Sequence, residues 1–290
     1  MTAPFPPRDE AASATGSTAV HTVRLRRFVG RYALELPGKR TGGYCGPPAE
    51  VARELAEAVR QLVAHEPGAE AAVAAAGWGW LHLRDEATGT EHLAVLPLDP
   101  AEACWGLYLT PTDPSASTVL VEAPHPQHDL RSELAAVDAY VRLGARALLM
   151  AGSHRYANPG ALADVTRNPE SLFHHVHAAL TNQASHVVQL HGFAGAEHPG
   201  YPDVFLSNGT PDPHAELTAL AGAIRAEGET TAVYDGAHWP ALSGYANHQA
   251  HHTRGVGGRF YHLELEAAVR ADRARTDRIA NALAAVLGNS

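Results

Sequence analysis

The chain is nearly devoid of cysteine, with only Cys45 and Cys104 in 290 residues. Two thiols cannot staple a small secreted scaffold, and neither belongs to a C-x-x-C pair that could hold zinc or exchange electrons. Free thiols in a cytosolic protein are the expectation, with a single disulfide as the other option. Long apolar runs are also missing. No stretch reaches the roughly 18 residues that a membrane-crossing helix needs, so no membrane is expected as a partner. Clustered basic residues are absent and the formal net charge is −9. Nucleic acid therefore has no phosphate-binding patch to grip. The opening MTAPFPPRDEAASATGSTAV lacks the charged and apolar regions of a secretory signal, which points to the cytoplasm. Also absent are a G-x-S-x-G nucleophile turn, a phosphate-binding G-x-x-x-x-G-K-[ST] and a G-x-G-x-x-G.

What is present suits a large α/β fold. Apolar residues make up 45% of the chain, enough for a sizeable core. Residues 1–20, rich in Pro, Ala, Ser and Thr, are expected to be disordered. Residues 21–116 form an N-terminal region of unassigned role that could belong to the same domain. Within it, 23–36 reads as one or two strands, and PAEVARELAEAVRQLVAH as a helix with Val51, Leu55, Val59 and Leu62 on one stripe. Strands are expected near Trp80, Leu93 and Leu107. From residue 117 to 290 apolar strands alternate with helices: STVLVEAPH, ARALLMAG, SHVVQLHG, TTAVYD and GRFYHLELEAAVR, with helices over 130–143, 169–182, 213–227 and 272–287. That alternation predicts a mostly parallel mixed sheet covered on both faces, a three-layer α/β/α sandwich.

Histidine is over-represented, with 19 copies, so position must decide which ones act. Ligands bind beyond the carboxyl ends of strands in such sheets. His125 and His191 both sit there, after TVLVEAP and HVVQL. A catalytic zinc takes three protein ligands and keeps a fourth position open. The third ligand is expected to be Asp129, with His128 as the alternative; Asp129 could instead cap the following helix. In FYHLELEAAVR a period of two places His262, Glu264 and Glu266 on one face, where acids are costly to bury without a purpose. The strand-end segment AGSHRYANP offers Arg155 and His154 as substrate-binding groups, Arg155 as a clamp for a carboxylate. Ser153 in the same segment is the one serine placed for a serine hydrolase.

Taken in order, these motifs resemble the zinc carboxypeptidase-like superfamily, and within it the phage-type poly-γ-glutamate hydrolases and related amidohydrolases. PHPQHDLRSELA stands in place of their His-loop-acid segment, with a shorter loop; VVQLHGF matches their L-H-G strand end. ALSGYANHQAHHTRGVGGRFYHLELEAAVR follows their closing plan, with Glu264 six residues before Arg270. The resemblance covers about residues 117–290. The H-x-x-E of carboxypeptidases is missing, and residues 20–116 match none of the plan. The resemblance implies a carboxypeptidase-like sandwich and one Zn2+ held by His125, Asp129 and His191. It also implies Glu264 as general base and a small-molecule or peptide substrate bearing a carboxylate. The expected activity is hydrolysis of a γ-glutamyl, peptide or N-acyl amino acid bond. A non-catalytic zinc or ligand-binding module on the same fold and a serine hydrolase are the competing readings.

Overall fold

The computed structural model describes residues 19–97, 104–197 and 199–288. The expectation of disorder over 1–20 lies almost wholly outside them.

The segment read as strands over 23–36 is instead a short strand followed by a helix. β1 covers Val20–Val23 and α1 covers Leu25–Glu35. Leu25, Phe28, Val29, Tyr32 and Ala33 are all buried, a three-and-four spacing that only a helix can turn to one side. Asp85 Oδ1 accepts from the Leu25 N–H at 3.0 Å, satisfying one of the open donors of the first turn. The next helix, α2 (Ala49–Val63), buries Leu55, Val59 and Leu62 as its stripe foretells. A short helix absent from the sequence reading, α3 (Ala69–Ala75), leads into β2 (Trp78–Asp85), β3 (Glu91–Pro97) and β4 (Leu107–Pro111).

The C-terminal part alternates as expected. It runs β5 (Val119–Ala123), α4 (Ser132–Leu143), β6 (Ala147–Met150), α5 (Leu172–Leu180) and β7 (His186–Phe193). There follow β8 (Val204–Ser207), α6 (Ala215–Ala226), β9 (Thr231–Val233) and α7 (His248–Gly255). The segment read as one last strand divides into β10 (Arg259–Glu266) and α8 (Ala267–Ala271), before α9 (Arg273–Leu287). The break falls at Glu266, whose side chain caps α8 and stops the strand.

All ten strands join one mixed sheet in the order β1-β2-β3-β4-β6-β5-β7-β10-β8-β9. Its four central strands, β6, β5, β7 and β10, are parallel, and β4 and β8 flank them antiparallel. Strands from the N-terminal region thus extend the same sheet. One face packs on α1, α4, α6, α8 and α9 through Phe28, Tyr140, Leu220, Val269 and Leu283. The opposite face packs on α2, α3, α5 and α7 through Leu55, Val73, Phe173 and Ala250. Three α/β/α layers result. β5 lies between β6 and β7, so the chain leaves it to opposite sides in its next two crossovers, and a crevice opens at the strand ends there.

Candidate metal and active site

Alternation along the central strands sorts their side chains. Val121, Val188 and Leu263 point into one apolar core. Glu122, Gln189, His191, His262 and Glu264 occupy the other parity, and all are buried. β10 is an interior strand between β7 and β8, so His262 and Glu264 are enclosed rather than wetted.

His125 follows β5. Its carbonyl accepts from the N–H of His128 at 3.0 Å and of Asp129 at 2.9 Å, one helical turn that lays His125 and Asp129 side by side. Asp129 does not cap α4: the residue before that helix is Arg131, in the left-handed region at φ 71°, and no side chain caps it. Asp129 Oδ2 instead stands 3.2 Å from His125 Nδ1 and 3.2 Å from His191 Nδ1. Among the described residues these three form the group of potential ligands whose donor atoms lie within 4.8 Å of one another. Ligands at about 2.0–2.2 Å from a tetrahedral metal ion stand roughly 3.3–3.5 Å apart, close to the two His–Asp separations of 3.2 Å, so this group could hold a metal ion.

The far nitrogens of both rings are engaged. His125 Nε2 meets Asp164 Oδ1 at 2.9 Å, and His191 Nε2 meets Gln189 Oε1 at 2.7 Å. Outer partners of this kind hold the proton on one ring nitrogen and leave the other lone pair for a metal. Burial, reinforced by His262, pulls the His191 imidazole down to about 4, so it is neutral at pH 7. Burial and Arg155 pull His125 the same way, but Asp129 and Asp164 outweigh them and hold it above the ordinary value. Burial pushes the Asp129 carboxyl up, yet the two imidazoles keep it far below the usual range.

A cavity of about 90 Å³ opens over this group, lined by His125, His191, His262, Glu264, Arg155 and Arg167 among others. Glu264 faces it with Oε1 3.3 Å from His262 Nε2 and with Oε2 unpartnered. Gly244, at φ +67°, lets the wall pass close to the His262 ring; a Cβ there would fall 3.1 Å from it. Behind His191, the buried Arg270 guanidinium lies across Gly192, where any side chain would collide with it. Arg270 Nη2 donates to the Phe193 carbonyl at 3.2 Å.

The other expected residues divide. Arg155 lines the cavity, but its guanidinium is held by Asp164 at 2.5 Å, with Nη1 3.5 Å from His125 Nδ1. Asp164 also meets His125, so Arg155 is tied to the candidate ligands, while its Nε has no hydrogen-bond partner. His154 stands apart from the cavity lining: its Nδ1 accepts from the Tyr156 N–H at 3.0 Å and its ring packs on His128. His128 is half-exposed, with Nε2 4.0 Å from Asp129 Oδ1, outside the three-residue group. Ser153 is buried, its hydroxyl has no hydrogen-bond partner, and it does not line the cavity. No disulfide joins Cys45 and Cys104.

Sequence reasoning missed Asp164, Gln189 and Arg167. Asp164 lies in a loop 39 residues from the histidine it serves, with no motif to mark it. Gln189 did carry a signal, a lone amide inside an apolar strand. Arg167 lines the cavity mouth, and among the described residues nothing pairs with its guanidinium.

No family model and no curated protein matches the chain. Among solved structures, the crystal structure of gene product Atu2144 from Agrobacterium tumefaciens is similar over 60% of this chain and 89% of that one. The identity is 13% and the TM-score 0.43.

Proposed function

We propose that the chain is a zinc-dependent hydrolase that cleaves an amide or peptide bond of the γ-glutamyl, peptide or N-acyl amino acid type. One observation carries the reading: the Nδ1 atoms of His125 and His191 converge on Asp129 Oδ2 beneath a cavity that Glu264 also lines. His125, Asp129 and His191 would hold the ion, a donor set of two imidazoles and a carboxylate that suits zinc. When bound, zinc supplies an acidified water and a Lewis acid for the scissile carbonyl.

The chain's own groups do the rest. Glu264, with its unpartnered Oε2, accepts the proton of the attacking water and passes it to the leaving amine. His262 Nε2 stands 3.3 Å from the other oxygen of that carboxylate. Arg167 at the mouth offers a bidentate partner to a substrate carboxylate. Tyr245 and the loop over 241–247 form another part of the cavity wall.

The test is a panel of γ-glutamyl, peptide and N-acyl amino acid substrates, assayed on metal-analysed protein with and without chelator. Stoichiometric zinc and chelator-sensitive amide cleavage are expected. Zinc without turnover on any substrate would favour the non-catalytic module. Turnover that survives full removal of metal sinks the zinc mechanism.

A further inference from the structure

Glu122 and His177 are completely buried, belong to no step above, and yet connect to the site. Glu122 on β5 stands opposite Gln189 on β7 in the parallel register. Gln189 Nε2 donates to Glu122 Oε2 at 2.8 Å, and His177 Nδ1 lies 2.7 Å from Glu122 Oε1. Beyond it, His177 Nε2 lies 3.2 Å from Thr253 Oγ1.

Both carboxylate oxygens of Glu122 are thus taken, Oε1 by His177 and Oε2 by the Gln189 amide nitrogen. Gln189 turns its NH2 toward Glu122, which sends its Oε1 the other way. Asn247 enforces the same choice independently. Its Oδ1 caps α7 by accepting from the Ala250 N–H at 3.0 Å, so its amide nitrogen is the group presented to Gln189 Oε1, at 2.5 Å. Reversing the Gln189 amide would set oxygen against oxygen at Glu122 and NH2 against NH2 at Asn247. With Oε1 so directed, the His191 Nε2 that lies 2.7 Å from it must carry a proton. A neutral imidazole has only one, so Nδ1 is left bare with its lone pair facing Asp129 Oδ2 at 3.2 Å, an opposition that a cation between the two would relieve.

We infer that Glu122, acting through Gln189, is a positioning residue that selects the Nε2–H tautomer of His191 and so presents its Nδ1 lone pair at the metal site. The inference rests on the reading of His191 as a ligand. It places a determinant of metal affinity two hydrogen bonds away from the ligand, in the middle of the sheet.

Long-range proton–nitrogen spectra of the metal-free protein read the tautomer directly, and zinc affinity is read by competition with a chelator. The full-length wild type should show His191 protonated at Nε2 and bare at Nδ1. Gln189→Met should release that preference, letting Nδ1–H donate to Asp129, and weaken zinc binding by about 10–100-fold, the usual effect of an outer partner. Glu122→Met should do the same, and the double variant should be no worse than either single one, because the two act in series. Glu122→Gln should leave His191 unchanged: the introduced amide keeps an oxygen for Gln189 and offers its NH2 to His177. His177 must then move its own proton to Nε2, so its nitrogen signals exchange while those of His191 hold. A wild-type His191 protonated at Nδ1 overturns the inference. So does a Gln189→Met protein with the same tautomer and zinc affinity within about twofold of wild type. If the methionine variants fail to fold, the wild-type and Glu122→Gln spectra still decide. A wild type that shows the expected tautomer but takes no zinc would fail the proposed function and leave the tautomer selection standing.

Discussion

Glu264 stands opposite His191 in the register of β10 and β7, so neighbouring parallel strands set an acid and an imidazole side by side on one cavity wall. Glu266, two residues on, is already outside this arrangement. Its carboxylate accepts from the N–H groups of Ala268 and Gly195, closing one helix and pinning one loop. The two acids of the E-L-E triplet therefore have separable duties. Glu264→Gln should keep zinc and fold and lower kcat by about 10²–10⁴, the range for a positioned proton transfer. Glu266→Gln should leave kcat near wild type and cost about 0.5–2 kcal/mol of stability, as lost caps do. Steady-state kinetics with denaturant melts on both proteins separate the duties. Activity lost in Glu266→Gln and kept in Glu264→Gln would move the base by two residues.

Metal binding discriminates Asp129 from His128. Asp129→Ala, His125→Ala and His191→Ala should each weaken zinc binding by more than about 100-fold, beyond what an outer partner costs. His128→Ala should retain the metal, since its ring stands off the site. Metal content after dialysis is the measurement, and zinc lost from His128→Ala but kept in Asp129→Ala would exchange their roles.

The two arginines of the cavity should differ in kind. Arg167 has no partner to surrender among the described residues, so Arg167→Ala should raise KM for carboxylate-bearing substrates by about tenfold with little change in kcat. Arg155 is engaged with Asp164, which holds His125. Arg155→Ala should therefore show up first as weaker zinc binding, by about tenfold or more. An Arg155→Ala protein with unchanged zinc affinity and a raised KM would make Arg155 the clamp.

Stability should carry a signature of Glu133. Burial pushes its carboxyl up to about 7, against the pull of Arg270 and Arg26. The folded state thus holds a proton there that the unfolded chain has already lost, so folding stability contributed by this group falls as pH rises from about 4.5 to about 7 and is level above that. Glu133→Gln should remove this slope and stabilise the protein above pH 7 by on the order of 3 kcal/mol. Denaturant melts at pH 5 and pH 8 for both proteins provide the check. Equal wild-type and variant slopes would show that Glu133 ionises freely in the fold.

The strands of the C-terminal part were legible because each is a continuous apolar run bounded by breakers, and the helices because their stripes recur at three and four. The helix at Leu25–Glu35 was mistaken because its polar residues are arginines scattered among apolar ones, and alternation can be found in so short a window. β8 escaped because four residues, Val204–Ser207, carry too little pattern. At the site, His125, His191, Asp129 and Glu264 were visible since strand ends and strand parity are local properties. Asp164 and Arg167 were not, because a long loop folds them back and nothing in their neighbours records where it lands. The pairing of Arg155 escaped for the same reason: its partner is Asp164.

The junction between β4 and β6 has a practical consequence for anyone trimming this chain. The segment beginning at residue 117 holds every candidate ligand and the candidate base, and it invites expression alone. Removing what precedes it would strip β4 from β6 and leave a row of unpaired backbone donors and acceptors along an apolar strand. It would also lift α2 from α5, uncovering a second greasy surface. An open edge beside bare apolar area is a template for aggregation, so the shortened chain should precipitate or pair with itself before its chemistry could be assayed.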